Sequence, residues 1–194
     1  MEAPAPPSDS RARQILVETG TLLEGHFLLT SGRHSGAYVE KFRILQHPAY
    51  TQELCSLLVQ ESRGMGFEVV AGPTTGGIIL AFEVARQAGV RAIFAEKQGE
   101  GRVFRRSLAL SRGERVLVVD DILTTGGSLR LVLDEVARWG AAPVGVGVLV
   151  DRSNPPPAFG VPLFSCLRLP IPSFDAEDCP ICREGLPLVK PGGG

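Results

Sequence analysis

Residues 116–128 read VLVVDDILTTGGS. The apolar run Val116–Val119 leads straight into Asp120 and Asp121, and then through Ile122 and Leu123 into Thr124, Thr125, Gly126, Gly127 and Ser128. Apolar residues without alternation suit a strand covered on both faces, as in a parallel sheet. The following SLRLVLDEVARWGA has helical spacing, so the acids and glycines fall between a buried strand and a helix N-terminus. In an open parallel sheet, that junction at the carboxyl end of a strand is where ligands sit.

The same alternation extends outward. Residues 10–24 (SRARQILVETGTLLE) predict a helix with Ser10 as N-cap, and HFLLTSGRHSGAYVEKFRIL predicts two short strands about a polar loop. AYTQELCSLLVQESRGMG is amphipathic and closes on glycine. FEVVAGP reads as a strand, TGGIILAFEVARQAG as a helix, VRAIFAEKQ, ERVLVVDDI and PVGVGVLVDRS as strands. The expected fold class is α/β, a doubly wound, mostly parallel sheet. No internal repeat is visible, and NPPPAFGVP reads as a linker-like loop inside a domain rather than a boundary.

Composition excludes several classes. The chain has 194 residues, 44% hydrophobic and 21% charged, as in ordinary globular proteins. A net charge of -1 offers no basic surplus for nucleic acid or an anionic membrane. Its apolar runs fall short of a membrane span. MEAPAPPSDSRAR lacks the apolar segment of a secretory signal and reads as a frayed tail, so a cytoplasmic location is expected. Four cysteines do not make a disulfide scaffold; Cys55 and Cys166 fall in apolar patterns and are expected in the core. Cys179 and Cys182 form one CPIC pair, whereas a closed zinc site needs four ligands. His26, His34 and His47 are too scattered to be expected as metal ligands.

The chemistry of the central turn is specific. Glycines let backbone N–H groups approach an anion, and the hydroxyls add donors. Two acids beside an anion cradle conflict electrostatically unless something cationic intervenes. A ribose with vicinal hydroxyls, together with Mg²⁺ on a diphosphate, resolves the conflict, because carboxylates accept from sugar hydroxyls and orient hydrated Mg²⁺. The alternative is an ordinary polar turn with an N-cap. No lysine follows the glycines, so this is not a Walker A loop, nor is it G-x-G-x-x-G. AGPTTGGIILA, residues 71–81, repeats the pattern with Thr74, Thr75, Gly76 and Gly77. Two such loops point to a ligand with two phosphate groups.

VLVVDDILTTGGS resembles the phosphoribosyl-diphosphate (PRPP) motif of type I phosphoribosyltransferases. LLTSGRHSGAYVE (28–40) is similar to the N-terminal hood segment of orotate phosphoribosyltransferases, VLVDRS (148–153) to their strand ending in Asp-Arg, and CPICREGLPLVKPG to the C-terminal end of one branch. The likeness spans roughly residues 15–192. It implies a single domain, with a hood over about 10–45 plus the C-terminal tail and a PRPP-binding core over about 50–165. It implies the reaction of orotate with PRPP to give orotidine 5′-monophosphate and diphosphate. On that resemblance Asp120 and Asp121 hold the ribose hydroxyls and, through water, Mg²⁺. Residues Ile122, Leu123 and Thr124 to Ser128 surround the 5′-phosphate, Thr74 to Gly77 meet the diphosphate, and Thr124, Arg152 and Ser31 face the orotate. Arginine suits that role because its fork matches a carboxylate bidentately.

The resemblance also implies a homodimer in which a mobile catalytic loop reaches the neighbouring subunit. Here that segment is AEKQGEGRVFRRSLALSRGE, residues 95–114, which departs from the family pattern in having no histidine. Lys97 is the first choice for the cation on the diphosphate and Arg105 the second. Thr30 stands where a lysine often precedes Ser-Gly, and His34 is expected near the substrate rather than as a base. Two rival functions stay open: transfer to a purine or uracil, the purine enzymes having less use for Arg152, and a PRPP-sensing regulator, which usually adds a nucleic-acid-binding domain or a basic face.

Overall fold

In this computed structural model, residues 7–29 and 31–191 are described. Helix α1 (Pro7–Glu18) precedes strands β1 (Leu22–Leu28) and β2 (His34–Val39); the short α2 (Phe42–Leu45) leads into α3 (Pro48–Glu61). Then follow β3 (Val69–Pro73), α4 (Gly76–Ala88), β4 (Arg91–Gln98), β5 (Gly101–Phe104), β6 (Arg115–Leu123), α5 (Gly127–Arg138), β7 (Ala142–Asp151) and β8 (Leu163–Arg168). The chain closes with β9 (Ser173–Phe174), a 3₁₀ turn at Ala176–Asp178 and α6 (Pro180–Arg183).

Six strands form one sheet in the order β5-β4-β3-β6-β7-β8, parallel throughout except for β5. This is the expected doubly wound α/β arrangement. The unalternating run in β6 has a direct cause. Leu117 and Val119 enter the core beneath α3 and α4, beside Leu58 and Leu80, while Val116 and Val118 face Leu129 and Val132 of α5. Both faces of the strand are thus dry, and β6 sits centrally between β3 and β7. A second, three-stranded antiparallel sheet runs β1-β2-β9. Cys55 and Cys166 are buried, as expected. Among the described residues no helix is long and apolar enough to cross a membrane.

Several local expectations need correction. The helix expected over 10–24 starts earlier, at Pro7, whose fixed φ suits a first turn, so Ser10 lies inside it and residues 7–13 are no frayed tail. It also stops earlier. Thr19 Oγ1 donates to Ile15 O at 2.7 Å, Gly20 takes φ +60, and Leu22 then pairs with Val39 in the small sheet. The segment 95–114, expected as a mobile loop, is partly a hairpin: Ala95 pairs with Phe104 and Lys97 with Arg102. Burial of Ala95 and Phe104 holds that hairpin to the main sheet. Strand β8 was not expected, because its apolar residues are short and follow a proline-rich stretch.

One glycine links the fold to the cavity described below. A Cβ on Gly72, in β3, would lie 2.2 Å from the Gly77 carbonyl oxygen, so the strand and the first turn of α4 approach only without it. Gly101 has open space around it, with nothing nearer than Gln98 O at 3.7 Å. Gly72→Ala is expected to cost about 1–3 kcal/mol or more, the scale of overpacking, whereas Gly101→Ala is close to neutral. Urea unfolding of the two variants checks this; equal midpoints would refute the close-approach argument.

Candidate active site

A cavity of about 1060 Å³ opens where β3, β6 and β7 end, and residues of β1, β2 and the C-terminal tail complete its wall. Of the residues picked out in the sequence, Ser31, Thr74, Asp120, Asp121, Ile122 to Ser128 and Arg152 line it. Thr75, Gly76 and Gly77 do not; they form the N-cap and first turn of α4 just behind Thr74. Lys97 borders a separate cavity of about 320 Å³ with Arg102 and Ser128, and Arg105 is exposed and borders neither. Thr30 lies outside the described residues.

The acid pair is buried, and its surroundings explain how. Asp120 accepts the Asp121 N–H at 2.9 Å, and Asp121 Oδ1 accepts the Ile122 N–H at 2.8 Å. Asp121 Oδ2 has no hydrogen-bond partner among the described residues, but Lys41 Nζ lies 2.8 Å away as an ion pair. Gly76 makes room for that carboxylate: a Cβ there would come 1.8 Å from Asp121 Oδ2. Desolvation, and then the neighbouring charge of Asp121, push the Asp120 carboxyl up to about 7, against the opposing pull of Lys41 and Arg102. Lys41 itself is raised by Asp121 in spite of its burial.

Beyond the acids, Gly126 at φ +80 is the N-cap of α5 and supplies no side-chain cap, which leaves the first N–H groups of the helix facing the cavity. A Cβ at Gly126 would meet the Phe159 ring at 2.8 Å, and Arg130 stacks over that ring at 5.4 Å. The NPPPAFGVP stretch therefore braces this turn and is more than a linker. Arg152, half-buried, has one weak bond, from Nη2 to Ala37 O at 3.5 Å, and its Nε has no hydrogen-bond partner among the described residues. Desolvation lowers its pKa. A buried guanidinium donor without a partner is costly unless an anionic ligand completes it.

Several cavity residues escaped the sequence reading, among them Lys41, Tyr38 and Lys190. Lys41 is a single lysine after a strand (YVEKF), Tyr38 an aromatic whose role periodicity does not reveal, and Lys190 part of the tail. Arg102, on the smaller cavity, was not preferred among the cations of its segment either: it donates to Thr74 Oγ1 at 3.1 Å and to Ser128 Oγ at 3.3 Å, tying the two strand-to-helix loops together. Only the register of the β4–β5 hairpin singles it out from Arg105 and Arg106. The histidine reading also needs correction. His34 does not line the cavity; it is buried against His26, with Cys179 and Cys182 beside them, because β1–β2 pairing and the returning tail bring the four together.

Residues 42–158 match the phosphoribosyl transferase domain family. The chain is similar to the orotate phosphoribosyltransferase of Desulforamulus reducens, at 47% identity over 92% of this chain and 93% of that protein. It is likewise similar to that of Pelotomaculum thermopropionicum, at 48% identity over 92% and 94%. A solved orotate phosphoribosyltransferase from Aeropyrum pernix superposes with a TM-score of 0.70, at 27% identity over 80% of this chain and 92% of that one.

The raised Asp120 carboxyl has a measurable consequence. An unfolded aspartate ionises near about 3.9, so between there and about 7 the native state holds a proton that the unfolded chain has released. Stability contributed by this group therefore falls as pH rises through that window. Asp120→Asn, which keeps an acceptor without the charge, is expected to raise Tm by at least about 2–4 °C near pH 8, with the gain vanishing below about pH 4. Thermal scans across that range test it; a gain independent of pH would contradict the burial argument.

Proposed function

The chain belongs to the phosphoribosyltransferase family and, within it, to the orotate phosphoribosyltransferases; from that premise we propose how its residues carry the transfer. Orotate displaces diphosphate from C1 of PRPP to give orotidine 5′-monophosphate, so the protein is a pentosyltransferase of pyrimidine nucleotide synthesis. The ribose passes through an oxocarbenium-like state while the leaving diphosphate gathers negative charge. The protein's task is to align both reactants and hold donors where that charge develops.

One observation carries the assignment of roles: the buried Asp120–Asp121 pair, the open N-terminus of α5 and the incompletely bonded Arg152 line one cavity. Asp120 and Asp121 accept from the ribose hydroxyls. Thr124 to Ser128 cradle the 5′-phosphate, with the first N–H groups of α5 as donors. Thr74 and Arg102 meet the diphosphate, behind which Thr75, Gly76 and Gly77 shape the turn. Arg152 pairs with the orotate carboxylate, and Ser31 and Thr124 border the base. Lys41 pairs with Asp121, and a divalent cation bound with PRPP would favour the ionised form of Asp120, so that the two carboxylates together could orient its water shell. Mg²⁺ bound there with PRPP would neutralise the leaving diphosphate.

Orotate absorbance is expected to fall with PRPP and Mg²⁺ present, and to hold steady once a chelator is added. Arg152→Ala should lower kcat/KM for orotate roughly 10–150-fold, the worth of a charge-assisted bond, and leave PRPP binding nearly unchanged. Equal turnover of hypoxanthine, adenine or uracil would overturn the choice of base. Loss of PRPP binding in parallel would make Arg152 a structural residue.

The position of Lys97 supports a shared site. It is exposed on the β4–β5 hairpin, outside the main cavity of its own chain. In a two-fold homodimer such a residue reaches the partner's diphosphate, and the exchange is reciprocal. Lys97→Ala and Asp121→Asn are each expected to be nearly inactive. Refolded together, they pair at random, and half of the sites in mixed dimers own both residues, so about a quarter of wild-type activity should return. Mixed dimers confirmed by native mass spectrometry, yet no more active than the separate variants, would show that Lys97 serves its own subunit.

A further inference from the structure

The cluster of His26, His34, Cys179 and Cys182 lies outside the residues that line the cavity. One ligand atom from each falls within 4.8 Å of every other. His26 Nε2 is 3.0 Å from His34 Nδ1 and 3.6 Å from both Cys179 Sγ and Cys182 Sγ, and Cys182 Sγ is 3.3 Å from His34 Nδ1. In tetrahedral zinc, bonds of about 2.0–2.1 Å to nitrogen and about 2.3 Å to sulfur put neighbouring ligand atoms roughly 3.3–3.8 Å apart. The observed spacings are close to those of a coordination shell.

Hydrogen bonding alone does not account for the arrangement. His26 Nδ1 lies 2.9 Å from Leu186 O, a carbonyl that only accepts, so Nδ1 carries the proton and Nε2 presents a lone pair. That one lone pair is approached by an imidazole nitrogen and two sulfurs, and it accepts from only one of them. A cation between the four atoms satisfies all of them. The Leu186 carbonyl is also the kind of outer partner that fixes the tautomer and orientation of a ligating histidine.

We propose that His26, His34, Cys179 and Cys182 bind one Zn²⁺ as a closed structural site that fastens the C-terminal tail to the β1–β2 hairpin. Two thiols and two imidazoles are a zinc ligand set, and Cys-x-x-Cys is a zinc spacing. Binding releases the two thiol protons, and Zn²⁺ with two thiolates and two neutral imidazoles carries no net charge, as suits a site where three ligands are buried. With all four positions filled by protein, no place is left for a catalytic water.

The site has a structural consequence. From Cys182 the tail runs back along β1, where Val189 N–H donates to His26 O and Leu28 N–H to Val189 O, each at 2.8–2.9 Å. That pairing delivers Lys190 and Pro191 to the cavity. The metal would hold in register a segment whose remaining ties are few.

The proposal is independent of the transferase reading, and its test uses metal content. The untagged protein is expected to carry about one zinc per chain by inductively coupled plasma mass spectrometry. After exchange, Co²⁺ should give the red d–d absorption and near-ultraviolet thiolate charge-transfer bands of a tetrahedral thiolate site. Cys179 and Cys182 should resist alkylation until a strong chelator is added, which should also lower Tm by several degrees. Cys179→Ser/Cys182→Ser should lose the zinc; should that variant fail to fold, the cobalt spectrum and alkylation of the wild type still decide. Protein grown with zinc yet isolated without it and silent with Co²⁺, or a Cys179–Cys182 disulfide in freshly reduced material, would overturn the proposal. So would zinc retained in full by the double variant.

Discussion

The structure turns on the placement of two carboxylates at the end of a buried strand. Asp120 and Asp121 sit on β6, the centre of the sheet, and desolvation there opposes their charge. Compensation comes from three directions. Lys41 reaches Asp121 from beyond β2, Arg102 approaches from β5, and backbone N–H groups of residues 121 and 122 donate from the strand itself. Gly76 and Gly72 lack side chains so that α4 packs close enough to shape the same corner. The acids thus hold a place that folding alone would disfavour, as residues kept for function often do.

Around that corner, elements distant in sequence share one duty. The β4–β5 hairpin carries Arg102 to Thr74 and Ser128 and leaves Lys97 exposed on the smaller cavity. The proline-rich stretch after β7 places Phe159 against Gly126, stiffening the turn into α5. The main sheet supplies the floor of the cavity, while the small sheet and the tail supply its far wall. The cavity-lining residues thus come from strand ends and loops on a rigid scaffold, which allows precise placement without crowding the core.

The small sheet and the tail have far less apolar burial than the main sheet. Among the largest fully buried side chains of the described residues, none comes from β1, β2, β9 or α6. Their cohesion rests on polar contacts: Arg33 donates to Ser173 and pairs with Asp175, and Ser35 donates to Pro172 O. A weakly cored wall of this kind is where a bound metal adds most to order.

The α/β class, the order of most elements and the two anion-suited loops were legible from the sequence, because a strand covered on both faces leaves an unbroken apolar run and a turn needing close backbone approach leaves glycines. Asp120, Asp121, Thr124 to Ser128 and Arg152 could be picked out for the same local reason: each lies within a few residues of a strand end. What lay beyond reach were partners brought in by long-range pairing. Lys41 meets Asp121 across 80 residues of sequence, Arg102 meets Ser128 across 26, and His26 meets Cys182 across 156. Periodicity and spacing record only what a residue needs from its neighbours in the chain. Which distant side chain supplies a counter-charge or comes to lie beside a cysteine pair is decided by strand register and crossover, and those exist only in the folded structure.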